Sequence, residues 1–213
     1  MTRIRTRSGL WVDLQDPQPD QIEIADIAHG LSMTCRWNGQ CSMFYSVAQH
    51  SVLCSMYTSA EFALPALMHD ASEAYLGDVA SPLKMMLGYS YRGLEESMME
   101  VIADKFNFQF PLGPEVKEVD HNFLVTEWAG IMNGDPKFFG FDKAPYTTQF
   151  MSWGPATAYR MFIERFHFLT KQVPLSVPSI EKPMNSTDAL WNERFFLMSD
   201  EEKKWTNPRM EEL

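Results

Sequence analysis

The stretch LPALMHDASEAYLGDVASPLK, residues 64–84, decides how this chain folds. Leu64, Leu67, Met68, Ala71 and Tyr75 recur at three-to-four spacing, which predicts one helix over about 60–76 with a single apolar face. Gly77 stands where a C-terminal glycine belongs. Upstream, Val47, Ala48, Val52 and Met56 give a second such pattern over roughly 44–57. Before it, Ile24, Ile27, Ala28 and Leu31 follow a possible cap at Asp20, and Gly39 ends that run. Downstream, residues 78–90 hold Pro82 and Gly88 and read as loop with a short helical turn. Helices resume at about 91–107 (Leu94, Met98, Val101, Ile102) and 114–132 (Val116, Val119, Phe123, Leu124, Ile131). The stretch NGDPKFFGFDKAP, residues 133–145, reads as a loop packed against something through its phenylalanines. Pro155 opens a final core helix over 155–170. The expectation is an all-α helical bundle of four or five helices with no convincing sheet. Residues 1–19 are a short extended or hairpin segment, 20–170 the domain, and 171–213 a peripheral, acidic tail.

Composition narrows the function classes. With 213 residues and 45% hydrophobic content, the chain can close one core. A formal charge of −10 excludes the broad basic surface that duplex binding needs, so no nucleic-acid partner is expected. Cys35, Cys41 and Cys54 are odd in number and lack C-x-x-C spacing, which disfavours a disulfide framework or a structural zinc knot. The reading is a reducing, cytoplasmic protein. No apolar run reaches the roughly 18–20 residues of a membrane span, and MTRIRTRSGLWVDL has no signal-peptide core.

Several ionisable residues stand where the helical period predicts burial. Asp120 lies four residues after Val116 and three before Phe123, His50 shares a stripe with Val47 and Leu53, and His69-Asp70 follows Leu67-Met68. A buried carboxylate is costly unless a cation or hydrogen bonds match it. Two imidazoles and two carboxylates from three helices can supply four ligands to one divalent metal, and mixed nitrogen and oxygen donors suit Zn, Mn, Fe, Co or Ni. Taken singly, each of these residues is as well read as a satisfied core histidine or a solvated acid. The segments around them change that balance.

HDASEAYLGDVASPLK, residues 69–84, closely resembles the corresponding stretch of HD-superfamily 5'-deoxynucleotidases and, more closely, of phage HD-domain dATP triphosphohydrolases. FYSVAQHS (44–51) resembles that family's first-histidine helix, and EVKEVD (115–120) the helix bearing its last aspartate. The resemblance spans about residues 20–170 and implies an HD-domain bundle. It implies His50, His69, Asp70 and Asp120 as metal ligands. Glu73 matches a carboxylate that orients or protonates at the reacting phosphate, and Asp78 the acid of the GD motif beside the attacking water. A bound metal would lower that water's pKa towards about 7. Arg36 and Trp37 resemble an arginine that touches phosphate and a tryptophan that packs on the sugar against a 2'-hydroxyl. Lys84 and Lys117 match positions that hold a polyphosphate. One departure stands out: His50 and His69 are 19 residues apart, shorter than the family's commoner spacing, so the turn at Tyr57-Thr58-Ser59 must be tight.

The leading expectation is a dNTP triphosphohydrolase releasing deoxynucleoside and triphosphate, with dATP the expected substrate and additional Mg or Mn accompanying the triphosphate. A 5'-deoxyribonucleotidase acting on dNMPs stays open, as does a non-catalytic nucleotide-binding protein; phosphodiester or alarmone hydrolysis fits the segments less well. His29 and His121 take no role. The partner expected is a small deoxyribonucleotide, without membrane contact. Fifteen methionines and the apolar stretch ALWNERFFLM suggest a homo-oligomer, although packing within one chain explains both equally well.

Overall fold

In the computed structural model, which describes residues 2–139, 145, 146, 148 and 150–170, the N-terminal segment is a hairpin. β1 (Arg3–Arg5) pairs antiparallel with β2 (Trp11–Asp13), Ile4 opposite Val12. Eight α-helices follow among the described residues, and the fold is all-α: α1 (Ile24–Met33), α2 (Val47–Met56), α3 (Ala63–Met68), α4 (Glu73–Leu76), α5 (Ser81–Leu87), α6 (Tyr89–Phe106), α7 (Pro114–Gly130) and α8 (Pro155–Thr170). No helix among these residues is long and apolar enough to cross a membrane. The expected tail, 171–213, with its apolar ALWNERFFLM stretch, lies outside the described residues, as do residues 140–144 of the phenylalanine-rich loop.

The apolar stripes meet as their spacing requires. Ile27, Ala28 and Leu31 of α1, Val47, Ala48 and Val52 of α2, Leu67 and Met68 of α3, Met98 and Ile102 of α6, and Ala158 and Phe162 of α8 form one buried core. α8 packs on α1, α2 and α3. Arg165 of α8 is buried and donates to Ser55 of α2 through Nε to Oγ (3.0 Å) and through its second guanidinium arm to the carbonyl (2.7 Å). Ser46 caps α2 by accepting from Gln49 N–H at 3.1 Å. Gln49 then donates to the Met151 carbonyl (2.7 Å) and accepts from Trp153 N–H (3.1 Å), fixing the chain that enters α8.

Three expectations need correction. The helix expected over 60–76 is two helices, because residues 69–72 form a turn with i→i+3 bonds: Ala71 N–H reaches the Met68 carbonyl (3.0 Å) and Glu73 N–H the Asp70 carbonyl (3.0 Å). This tighter winding replaces i→i+4 bonding at His69 and Asp70. The first helix starts at Ile24, not Asp20. Pro19–Gln21 forms a separate 3₁₀ turn, and Glu23 is extended before α1 begins. That helix also ends at Met33, well short of Gly39. The stretch 78–90 is more ordered than a loop: α5 makes nearly two turns and leaves Leu83, Met85, Met86 and Leu87 exposed. Elsewhere the hairpin adds a small sheet, and the loop after α7 packs Phe138 and Phe139 on Trp128, with ring centroids 5.2 and 5.5 Å away.

The hairpin is tied to α1 through Asp26, which accepts from Ser8 N–H (2.9 Å) and Ser8 Oγ (2.5 Å). Burial raises the Asp26 carboxyl, but hydrogen bonds from Ser8 and Thr6 oppose it and leave the group below its ordinary value. Its stabilising share is therefore complete above the unfolded value of 3.8 and lost as pH falls through the lower folded one. Asp26→Asn is expected to cost about 1 kcal/mol near neutrality and to lose that penalty in acid. Denaturation across a pH series checks this, and a penalty constant at every pH would refute the assignment.

Candidate metal centre

α2, the end of α3 and α7 bring His50, His69, Asp70 and Asp120 to one place. His50 Nε2 lies 3.2 Å from His69 Nε2 and 3.2 Å from Asp120 Oδ1. His69 Nε2 lies 3.2 Å from Asp70 Oδ2 and 3.7 Å from Asp120 Oδ1, and His50 Nε2 is 3.8 Å from Asp70 Oδ2. Ligand atoms about 2.0–2.2 Å from a shared metal stand about 3–3.5 Å from their neighbours, so the 3.2 Å separations match a first coordination shell and those of 3.7 and 3.8 Å are slightly wider. Each imidazole's other nitrogen is already committed. His50 Nδ1–H donates to Glu127 Oε1 at 2.6 Å, and His69 Nδ1–H donates to the Ala66 carbonyl at 2.8 Å. Both Nε2 atoms therefore converge, an approach that needs a proton or a metal cation between them.

Cys54 was absent from the expected set. It is buried one turn after His50 on α2, its Sγ 3.5 Å from His50 Nε2. His50, Cys54, His69 and Asp120 form a group whose ligand atoms lie within 4.8 Å of one another and could hold a metal ion. Cys54 faces Val119 and Phe123 on the core side, whereas Asp70 and Asp120 keep side-chain exposures of 19% and 36%. The carboxylates therefore form the open mouth of the centre and the thiol its inner wall. Phe123 stands edge-on to His50, 6.1 Å between centroids, and wedges α7 against α2.

Electrostatics favour a cation. Burial raises Asp70 and Asp120, but without an ion the protonated His69 and His50, themselves pushed against the cost of burial well above the ordinary imidazole range by the surrounding acids, hold both carboxyls below their ordinary values, and a bound metal would displace those protons. Glu73 is pushed well up, first by burial and then by the charges of Asp70 and Asp78; Asp78 is raised mainly by burial. With Glu73 kept neutral by its surroundings, Asp70, Asp120 and Glu127 form an acidic cluster beside Arg36 that a divalent ion, taking the place of the imidazole protons, would neutralise. Gly77, with φ of +82°, ends α4 and directs the chain into Asp78; a residue with Cβ would be strained there.

Glu127 is the second residue that the sequence reading missed. Fully buried on α7, two turns after Asp120, it also accepts from Arg36 Nε (3.0 Å) and Trp37 Nε1 (3.1 Å). Burial opposes its ionisation, yet Arg36 and His50 hold its carboxyl below the ordinary range, so it is a charged acceptor that fixes the His50 ring. The seven-residue interval from Asp120, in a stripe with Phe123 and Ile131, is the signal that could have found it. Glu127→Gln is expected to weaken metal binding about 10- to 100-fold. Competition with a chelator measures this, and unchanged affinity would remove Glu127 from ligand orientation.

Arg36 and Trp37 sit at the centre's edge. The Arg36 guanidinium bridges Glu127 and, at 3.5 Å, Asp70. Trp37 and Asn38 have left-handed φ of 56° and 51°; asparagine tolerates this region, whereas Trp37 is strained by about 1–2 kcal/mol and is held by its bond to Glu127. Trp37 also lies 5.7 Å from Trp128, extending an aromatic wall towards Phe138. Lys84 pairs with Glu73 (3.3 Å) and Glu95 (2.7 Å). Lys117 is exposed on α7 and His121 likewise faces out, whereas His29 is on α1 beside the hairpin.

Fold and site together define an all-helical protein with a His/Asp centre able to hold a metal. The chain is 41% identical over 174 residues to the uncharacterized protein YfdR of Escherichia coli (strain K12), a match covering 80% of this chain and 97% of that protein. It belongs to the same family as YfdR. It is also 39% identical over 122 residues to the uncharacterized protein RCAP_rcc00048 of Rhodobacter capsulatus, covering 53% of this chain and 62% of that protein. No family model matches the chain.

Proposed function

We propose that this chain is a metal-dependent phosphohydrolase of the HD superfamily that acts on a deoxyribonucleotide, hydrolysing dNTPs, with dATP the leading substrate, to deoxynucleoside and triphosphate. The observation that carries this reading is the convergence of two imidazole Nε2 atoms 3.2 Å apart beside Asp70 and Asp120. We assign His50, His69, Asp70 and Asp120 as ligands to one divalent transition metal among Zn, Co, Mn, Ni and Fe, with Cys54 as inner wall. The metal would supply Lewis acidity and a more acidic water.

The chain's own residues divide the remaining work. Asp78 takes the proton of the attacking water as its oxygen bonds the α-phosphorus. The bond from phosphorus to the 5'-oxygen breaks, and Glu73, kept neutral by burial and neighbouring acids, protonates that oxygen. Arg36 turns its guanidinium to the phosphate from the Asp70 side. Trp37, rigidly held by Glu127, closes the space that a 2'-hydroxyl would occupy. Trp37→Ala is accordingly expected to raise turnover of ATP relative to dATP, and an unchanged ratio would take Trp37 out of sugar selection.

One observation favours the monophosphate reading, a 5'-deoxyribonucleotidase. Lys84, expected to reach beyond the first phosphate, is committed to Glu73 and Glu95, and Lys117 is exposed. The deciding experiment incubates protein loaded separately with Mn, Co or Zn against all dNTPs, NTPs and dNMPs and separates the products. Deoxynucleoside with intact triphosphate establishes the leading reading. Phosphate from monophosphates alone establishes the second, and no turnover with any metal would leave a nucleotide-binding protein. The exposed apolar residues of α5 support assembly as a homo-oligomer, which a single-chain mass by light scattering would refute.

A further inference from the structure

A cavity of about 370 Å³ lies between the N-terminal hairpin, α1 and α4. Arg5, Arg7 and His29 line it, with Asp26, Ala74 and Tyr75. Among the described residues neither Arg5 nor Arg7 has an acidic partner at ion-pair distance, whereas Arg3 on the same strand pairs with Asp13 at 3.1 Å. Both side chains are exposed, so their guanidiniums can turn to a ligand at the cavity without breaking an ion pair. Asp26, the lining's acid, stays ionised with both oxygens bonded to Ser8 N–H and Ser8 Oγ, and against its one negative charge the two guanidiniums leave the lining net positive. The remaining lining is basic at one end and formed by Ala74 and the Tyr75 ring at the other.

We propose that this cavity is a binding site for a small phosphorylated molecule, distinct from the metal centre. Guanidinium forks match phosphate oxygens with paired hydrogen bonds, and His29 adds a third donor. The volume suits a ligand of nucleotide size, and the acidic surface elsewhere excludes a nucleic-acid strand. The two sites meet at one short helix. Ala74 and Tyr75 of α4 face the cavity, while Glu73 of the same helix pairs with Lys84 at the metal centre. The seam beneath the cavity is close: a Cβ on Gly30 would lie 2.9 Å from Ala74 atoms, so α1 and α4 are in backbone contact there.

Calorimetric titration of the metal-loaded full-length protein with pyrophosphate, and separately with dAMP, tests the site. Arg5→Gln/Arg7→Gln, at two exposed positions that the core does not use, is expected to weaken one class of binding about tenfold or more, the loss of about 1.4 kcal/mol. Asp120→Ala should leave that class intact and remove only binding at the metal centre. If the catalytic reading fails, Asp120→Ala changes no isotherm while the arginine-dependent binding persists, so the two failures are separable. Equal affinity for both probes assigns recognition to the phosphate, and tighter dAMP adds the nucleoside. Isotherms unchanged by the double arginine substitution would overturn the proposal.

Discussion

Asp120→Ala is expected to strip the metal and to lower turnover about a thousandfold or more. Asp120 Oδ1 is 3.2 Å from His50 Nε2 and 3.7 Å from His69 Nε2, so it closes the ligand set on the α7 side. Without it, the two imidazoles and Asp70 retain one negative charge between them, and affinity for a dication falls accordingly. A metal that polarises phosphate and acidifies water is worth several kcal/mol in the transition state, and each 1.36 kcal/mol is tenfold in rate. The helix itself should survive, because Val119 and Phe123 anchor α7 in the apolar cluster around Cys54. Elemental analysis of the dialysed variant, with its helical signal recorded alongside, reads both arms. Full metal content would show that Asp120 is not a ligand, and full turnover would place the chemistry elsewhere.

Some of this was legible in the chain and some was not. Strong apolar periodicity located α2, α6, α7 and α8 to within a few residues, since their stripes are long and each meets one core. The break between α3 and α4 was hidden, because Leu64, Leu67, Met68, Ala71 and Tyr75 keep helical spacing through residues 69–72 while the hydrogen bonding tightens to i→i+3. Periodicity reports which face is buried, not which carbonyl each N–H reaches. The structure places His50, His69, Asp70 and Asp120 together, the set that the resemblance of the segments around them implied. Glu127 and Cys54 escaped notice for opposite reasons. A lone glutamate on a long helix reads as solvated until a buried histidine is found 77 residues away in sequence to accept its company. A lone cysteine reads as a small core residue, which Cys54 also is. The fates of Lys84 and Lys117 depended on Glu95 and on the direction α7 presents to solvent, both tertiary facts.

Asp78→Ala is expected to lower turnover about 10²- to 10⁴-fold while bound metal stays near the wild-type level, the opposite partition from Asp120→Ala. Asp78 follows Gly77 at the end of α4, on the same side as Glu73, and is within electrostatic range of Arg36, Asp70, Lys84 and His50. Burial raises its carboxyl above the ordinary value, so the group is a better proton acceptor than a surface aspartate. The four-residue α4 is closed by Gly77 N–H donating to the Glu73 carbonyl at 2.8 Å, a bond that the substitution leaves in place. Truncating Asp78 also removes one charge that disfavours ionised Glu73, so the Glu73 carboxyl should titrate at lower pH in the variant. The acid-donating form of Glu73 would then be lost earlier as pH rises, and the residual rate should fall off on the alkaline side sooner than in the wild type. Metal analysis and a pH–rate profile of the variant read these two consequences independently. Loss of metal equal to that of Asp120→Ala would place Asp78 among the ligands, and near-wild-type turnover would deny it the proton.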